Sequence, residues 1–174
     1  MTTQNIDFST LSLQEALDLA ILIEEEAEER YEEFRKQMEL HHTPEAAAFF
    51  GVMARNEAKH GAQLAERRDH LFADAPRRVT RAMLWDVEAP EYDEARAFMS
   101  PRQAMQAALR AEEKAHAFFV AAVPRITDAA VKALFTELCK EEVEHQELVK
   151  KEIAKLPPGP DADPDDYADE PVAQ

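Results

Sequence analysis

The segment Glu57-Ala58-Lys59-His60 has a counterpart later in the chain, Glu142-Val143-Glu144-His145. Each segment places a carboxylate three residues before an imidazole. Residues i and i+3 lie on the same face of a helix about one turn apart, so both side chains can reach one point. A carboxylate and a neutral imidazole are a suitable ligand pair for iron, manganese or zinc. The two pairs together predict a metal site built by two helices.

Both pairs lie within apolar stripes of helical spacing, and two further stripes each contain one glutamate. The four stripes are Leu13, Leu17, Ala20, Glu24, Ala27, Tyr31, Phe34 and Met38; Ala46, Phe50, Met53, Glu57, His60, Leu64, Arg67 and Leu71; Pro101, Met105, Ala108, Glu112, Ala115, Phe119, Ala122 and Ile126; and Val131, Phe135, Leu138, Glu142, His145, Val149, Glu152 and Leu156. Steps of three and four residues are typical of amphipathic helices. The sequence therefore predicts four helices whose core-facing sides carry isolated polar groups.

Capping signals mark the helix starts. They are Ser9, Thr10 or Ser12 before helix 1, Thr43-Pro44 before helix 2, Ser100-Pro101 before helix 3 and Thr127-Asp128 before helix 4. Side-chain oxygens of such residues accept hydrogen bonds from the first turn, and proline is tolerated there. Helix 1 is predicted over 13–40 and helix 2 to about residue 70. The connection 72–100 is too long for a tight hairpin and favours a crossover along a bundle.

The two halves of the chain repeat each other. A shift of 88 residues places Glu24 on Glu112, and a shift of 85 residues places Glu57 on Glu142. The difference of three residues falls in the turns, where changes in length cost little. Two helical hairpins with the same polar pattern predict a bundle with pseudo-two-fold symmetry.

The four glutamates would lie at one level of this bundle. Glu24 and Glu57 lie 18 and 15 residues from the first interhelical turn, and the other two each lie 15 residues from the second. At roughly 1.5 Å per residue, all four fall within about one turn of the same height. Unpaired buried carboxylates are costly and would repel each other. Two divalent ions would balance the four charges, as in di-iron carboxylate bundles.

This layout gives the six predicted metal ligands three roles. These are bridging for Glu57 and Glu142, one imidazole per ion for His60 and His145, and a terminal carboxylate for Glu24 and Glu112. Tyr31 lies two turns after Glu24 on the same face and is the catalytic candidate, expected to hydrogen-bond near the centre. Phe119 occupies the equivalent place in the other hairpin, so the two metal environments are expected to differ.

Composition excludes several classes of function. The 174 residues suffice for one domain, and three glycines are too few for a turn-rich β protein. A net charge of −16 without a basic cluster argues against binding to nucleic acid or to an anionic membrane. The single cysteine, Cys139, rules out an internal disulfide and an iron–sulfur site made by this chain alone. Neither a membrane span nor a secretion signal is visible, which favours a cytoplasmic location.

The chain is predicted to contain one domain and a tail. Residues 1–156 hold the helices, whereas residues 157–174 contain five prolines, six acidic residues and no basic residue. Such a segment cannot bury enough apolar surface to fold, so the tail is expected to be disordered. Within helix 1, residues 16–23 are apolar nearly all round and are expected to be covered by a partner chain or by the crossover. We expect a homodimer on this ground.

The Glu24-Glu25-Glu26-Ala27-Glu28-Glu29-Arg30-Tyr31 stretch, the Glu112 segment and the two Glu-x-x-His pairs resemble the rubrerythrin-like branch of the ferritin-like superfamily, over residues 10–155. The resemblance implies an all-α, ferritin-like four-helix bundle. It also implies a non-haem site with two Fe ions per chain that reacts with O2 or hydrogen peroxide. Manganese or zinc could substitute for iron.

Two departures from rubrerythrins stand out. Rubrerythrins carry a rubredoxin domain with paired Cys-x-x-Cys iron ligands, whereas this chain has one cysteine. They also have an additional glutamate three residues after the helix-3 glutamate, where this chain has Ala115, which weakens the expectation of rapid peroxidase cycling. His116, four residues after Glu112, is a possible substitute ligand.

The leading functional hypothesis is a di-iron oxidoreductase in iron homeostasis or oxidative-stress defence. It would act as a ferroxidase or reduce peroxide or O2, with Fe(II) and the oxidant as small-molecule partners and an unidentified electron donor. Three alternatives remain: an iron-storage or cargo subunit, a di-iron hydroxylase of an organic substrate, and a helical interaction module with a vestigial site.

Overall fold

The computed structural model describes residues 6–81, 87, 89–90 and 99–156. Within these residues the chain forms four long helices, α1 (Leu13–Leu40), α2 (Pro44–Phe72), α3 (Pro101–Ala122) and α4 (Ala129–Lys155), and one 3-10 turn, Val123–Arg125. α1 packs along α2, and α3 packs along α4. The predicted all-α four-helix bundle with a long α2–α3 crossover is confirmed. The predicted tail, 157–174, lies outside the described residues.

The helix starts follow the capping signals in three cases of four. Ser12 and Ser100 each form a capping box with the polar residue three positions later, and Asp128 accepts hydrogen bonds from two amides of the first turn of α4. Thr43 differs because its hydroxyl donates to the carbonyl of Met38 at 3.1 Å instead of capping α2. Its bond closes the α1–α2 turn and leaves Pro44 to begin the helix, as its missing N–H allows.

The crossover covers the apolar side of α1. Val79 and Val87 are buried and join the same hydrophobic cluster as residues 16–23. Two arginines of the crossover fasten it to the outer face of α1, where Arg77 pairs with Glu25 at 2.7 Å and Arg81 with Glu29 at 2.6 Å. Part of the apolar surface of α1 is therefore covered by the crossover of the same chain, one of the two covers that the sequence predicted, and the homodimer stays a prediction.

The last turns of α2 depart from the predicted stripe. Leu71 is 49% exposed, whereas Arg68 is only 6% exposed. The inward position after Leu64 is four residues on, at Arg68, and not three residues on at Arg67. Arg68 can occupy that position because Asp18, which is fully buried on α1, accepts a hydrogen bond from its guanidinium.

Among the described residues, the buried apolar side chains form two clusters, one toward each end of the bundle. One is formed around Leu17, Ile21, Phe119, Phe135 and Leu138, and the other around Phe34, Met38, Phe50, Ala108 and Val149. Four buried glutamates, one on each helix, fall between these two sets along the chain. None of the helices in the described part of the chain is long and apolar enough to span a bilayer.

Candidate metal centre

The structure brings the six predicted ligands together in the bundle interior. Glu24, Glu57, Glu112 and Glu142 are at most 4% exposed, and the side chains of His60 and His145 are 22% and 13% exposed. We call Glu24, Glu57 and His60 the α1–α2 half-site, and Glu112, Glu142 and His145 the α3–α4 half-site. Each half-site is assembled by one hairpin because its three residues share the inward face of two adjacent helices.

The two half-sites repeat one geometry. In the α1–α2 half-site, His60 Nδ1 lies 3.6 Å from Glu57 Oε2 and 4.0 Å from Glu24 Oε2. In the α3–α4 half-site, His145 Nδ1 lies 3.9 Å from Glu142 Oε2 and 3.2 Å from Glu112 Oε2. In both, the imidazole Nδ1 lies within 4.0 Å of one oxygen from each of two carboxylates. This arrangement is the one expected of the internal repeat.

The two imidazoles face each other across the centre. The rings of His60 and His145 are parallel to within 8°, with centroids 4.5 Å apart. Ligand atoms of Glu57, His60 and His145 lie within 4.8 Å of one another, and so do those of Glu112, Glu142 and His145. Nitrogen and carboxylate oxygen donors at this spacing suit iron, manganese or zinc.

Unpaired buried atoms show that these residues fit metal ions. Among the described residues, five buried side-chain atoms have no hydrogen-bond partner: Glu24 Oε2, both oxygens of Glu57, His60 Nδ1 and Glu142 Oε2. All five belong to predicted ligands. A buried polar atom without a partner costs about 1–3 kcal/mol, and more if charged. Cations bound at this level would supply the missing partners.

The electrostatics of the site also favour the binding of cations. Burial raises the pKa of Glu24 well above its usual range, and the negative charges of Glu57 and Glu142 add to the shift. Burial likewise raises the pKa of Glu142 to about 10, with the charge of Glu112 adding to it. Burial acts to lower the pKa of His145, but its hydrogen bond to Glu112 and the surrounding carboxylates raise that pKa overall. Without cations, these shifts favour the protonated forms of Glu24, Glu142 and His145.

The metal-free protein is expected to lose stability as pH rises from about 5 to about 9. The pKa values of Glu24 and Glu142 lie above those of the unfolded chain, so the folded state binds more protons in this window. Stability then falls as pH rises. Urea unfolding in the presence of a chelator at pH 5, 7 and 9 would measure this slope, and Glu142→Gln should flatten it. A midpoint that increases with pH would contradict the expectation.

Tyr31 lies where the sequence predicted it, near the centre, but it contacts the opposite hairpin. Its hydroxyl donates to Glu112 Oε1 at 3.3 Å. Phe119, the equivalent residue by the internal repeat, is buried and packs edge-on against Phe135. The predicted difference between the two metal environments therefore has a structural basis. Two predicted ligands belong to neither group of clustered ligand atoms: His116, which is half-buried on α3, and Glu24.

Sequence reasoning missed one residue that contacts the candidate site. Gln146 is buried, and its side-chain amide donates to the backbone carbonyl of Glu112 at 3.3 Å. It follows His145 directly and lies four residues after Glu142, so it shares the inward face of α4. A polar residue at an i+4 position of a buried stripe was the available signal.

Comparison with known proteins supports the predicted fold and the predicted family. Residues 15–153 match the Rubrerythrin family profile. An uncharacterised conserved protein from Magnetospirillum magnetotacticum MS-1, known from a crystal structure, is 29% identical in sequence. The likeness covers 86% of this chain and 98% of that one, with a TM-score of 0.65. No protein of curated function is significantly similar in sequence. The family profile spans most of the described bundle and all six predicted ligands, and the chain belongs to the rubrerythrin family of di-iron proteins.

Proposed function

We propose that this protein is a di-iron oxidoreductase that oxidises Fe(II) with O2 or hydrogen peroxide, acting as a ferroxidase or a peroxide scavenger. The proposal rests on one observation above all. In a rubrerythrin-family bundle, the five buried side-chain atoms without partners all belong to two carboxylate–histidine half-sites. Such a layer destabilises the metal-free fold and is explained by the binding of cations.

The six ligands would hold two ions between the hairpins. We assign Glu57 and Glu142 as bridging ligands. For Glu57, a nitrogen of each imidazole, His60 and His145, lies within 4.8 Å of its carboxylate. His60 and His145 would each bind one ion. The two ions would together supply two electrons to the oxidant and return to Fe(II) by way of a donor.

The remaining residues orient the ligands and exclude water. Tyr31 holds one oxygen of Glu112 and fixes the orientation of that carboxylate. Apolar side chains surround the layer on both sides, namely Phe50 and Met53 in one cluster and Phe119 and Leu138 in the other. A dry, preorganised environment strengthens electrostatic interactions with bound cations and limits side reactions.

Anaerobic loading with Fe(II) is the direct test. We expect about two irons per chain, as the four-carboxylate, two-histidine layout requires. Addition of O2 or peroxide should then produce the near-UV band of an oxo-bridged diferric centre, and the relative rates with the two oxidants identify the physiological one. Glu57→Ala should abolish both iron binding and the band.

Glu66→Ala is the matched control, because Glu66 is exposed on the same helix, nine residues further on. It should bind iron and form the band as the wild type does. A wild-type protein that takes up no iron would contradict the proposal and favour an interaction module. Normal iron uptake without oxidation by either oxidant would also contradict it, and assembly into a closed shell would then favour storage.

A further inference from the structure

The two half-sites have the same ligands but different supporting residues. Glu112 is held at both oxygens, since Tyr31 donates to Oε1 at 3.3 Å and His145 Nδ1 lies 3.2 Å from Oε2. Gln146 also fixes the backbone beside it, through the bond to the Glu112 carbonyl. The carboxylate of the α3–α4 half-site is thus oriented before any ion arrives.

The α1–α2 half-site lacks both supports. By the 88-residue repeat, the counterpart of Tyr31 is Phe119, which has no hydroxyl to offer Glu24. By the 85-residue repeat, the counterpart of Gln146 is Gly61, which has no side chain at all. Gly61 faces Glu24, because a Cβ on Gly61 would lie 3.4 Å from Glu24 Cβ, in van der Waals contact.

The predicted ligands of the two half-sites also differ in their hydrogen bonding and in their exposure. Four of the five unpaired buried atoms belong to the α1–α2 half-site and one to the α3–α4 half-site. The His60 side chain is 22% exposed, against 13% for His145. The α1–α2 ligands are therefore less fixed by hydrogen bonds, and their imidazole is more accessible to water. Outer hydrogen bonds of this kind typically change metal affinity by 10–100-fold.

We propose that the α3–α4 half-site binds the first metal ion tightly and that the α1–α2 half-site binds the second at least tenfold more weakly. Tyr31 and Gln146 are the positioning residues responsible. The bonds they make to Glu112 engage Oε1 and a backbone carbonyl, not the oxygen that faces His145, so they persist when an ion binds. This inference rests on the proposed function. It adds the order in which the two ions bind and the identity of the half-site that holds its ion more weakly.

Titration of the metal-free protein with Co(II) under argon tests the order of loading. Visible absorption and calorimetry of the wild type should resolve two steps that differ by about tenfold or more in affinity. Glu112→Gln should remove the tighter step, and Glu24→Gln the weaker one. Circular dichroism of each variant confirms the helical fold before the titration.

The positioning residues are tested by Tyr31→Phe and Gln146→Ala. Each should weaken the tighter step by about 10–100-fold and shift the absorption of the first-bound Co(II), with the weaker step unchanged. Gln63→Ala, an exposed amide on α2, should change neither step.

Two results would overturn the inference and leave the proposed function intact. One is the binding of two Co(II) ions in a single step of uniform affinity, and the other is an equal effect of Tyr31→Phe on both steps. Failure of the wild type to bind any Co(II) would refute the proposed function and this inference together.

Discussion

Replacing Asp18 with alanine is expected to destabilise the protein by about 3–5 kcal/mol. Asp18 is fully buried and accepts hydrogen bonds from the Arg68 side chain and, at 2.8 Å, from the backbone N–H of Arg78. Arg68 is also buried and donates to the carbonyl of Ala75 at 2.6 Å. Without the carboxylate, the buried guanidinium would keep only the exposed carboxylate of Asp69, at 3.9 Å, as an opposite charge. The crossover would also lose one of its attachments to α1.

Urea unfolding of the chelated, metal-free protein measures this effect. Arg67→Ala is the matched control, because Arg67 pairs with Glu137 at 2.9 Å on the surface, with 39% and 54% of the two side chains exposed. Such exposed pairs contribute about 0–1 kcal/mol. The double variant Asp18→Leu/Arg68→Met should recover most of the lost stability, because an apolar pair can replace a buried ion pair. An Asp18→Ala variant no less stable than Arg67→Ala would contradict the expectation.

Glu142→Gln is expected to have opposite effects on stability and on metal binding. At neutral pH the raised pKa of Glu142, about 10, means that folding requires this carboxyl to take up a proton. Removing that requirement should stabilise the metal-free protein by roughly 1–3 kcal/mol. The same change removes a proposed bridging ligand and should abolish binding of two ions. A residue that lowers stability in the absence of its ligand is typical of a functional site.

Thermal unfolding with and without Co(II) separates the two effects. The wild type should gain stability with Co(II), because an ion that binds only the folded state stabilises it by mass action. Glu142→Gln should unfold at higher temperature than the wild type under chelation and gain little from Co(II). Glu144→Gln, which alters an exposed glutamate two residues away, should behave as the wild type does. A destabilised metal-free Glu142→Gln would show that Glu142 has a structural role.

The accuracy of the sequence prediction follows from the periodicity of the helices. α1 begins and ends at the predicted residues, Leu13 and Leu40, because the Ser12 capping box and the turn before Pro44 are local signals. The identity of the inward-facing glutamates followed from helical spacing, since polar residues in apolar stripes are costly unless they have partners. The stripe prediction was wrong at Leu71, which is exposed. Arg68 is buried instead, because it forms a long-range ion pair with the buried Asp18.

The sequence by itself determined the all-α bundle, its internal repeat and the inward direction of the Glu and His residues in each stripe, because these depend on spacing within single helices. Only the tertiary structure decided which groups meet across helices. In it, Tyr31 donates to the Glu112 carboxylate on the opposite hairpin, Gln146 donates to the Glu112 backbone carbonyl, and Val79 and Val87 of the crossover join the apolar cluster of α1. These contacts join residues far apart in the chain, so no local periodicity encodes them. As a result, the two half-sites have the same types of predicted ligand but differ in support. Hydrogen bonds orient the carboxylate of Glu112, whereas the ligands of the α1–α2 half-site are less fixed.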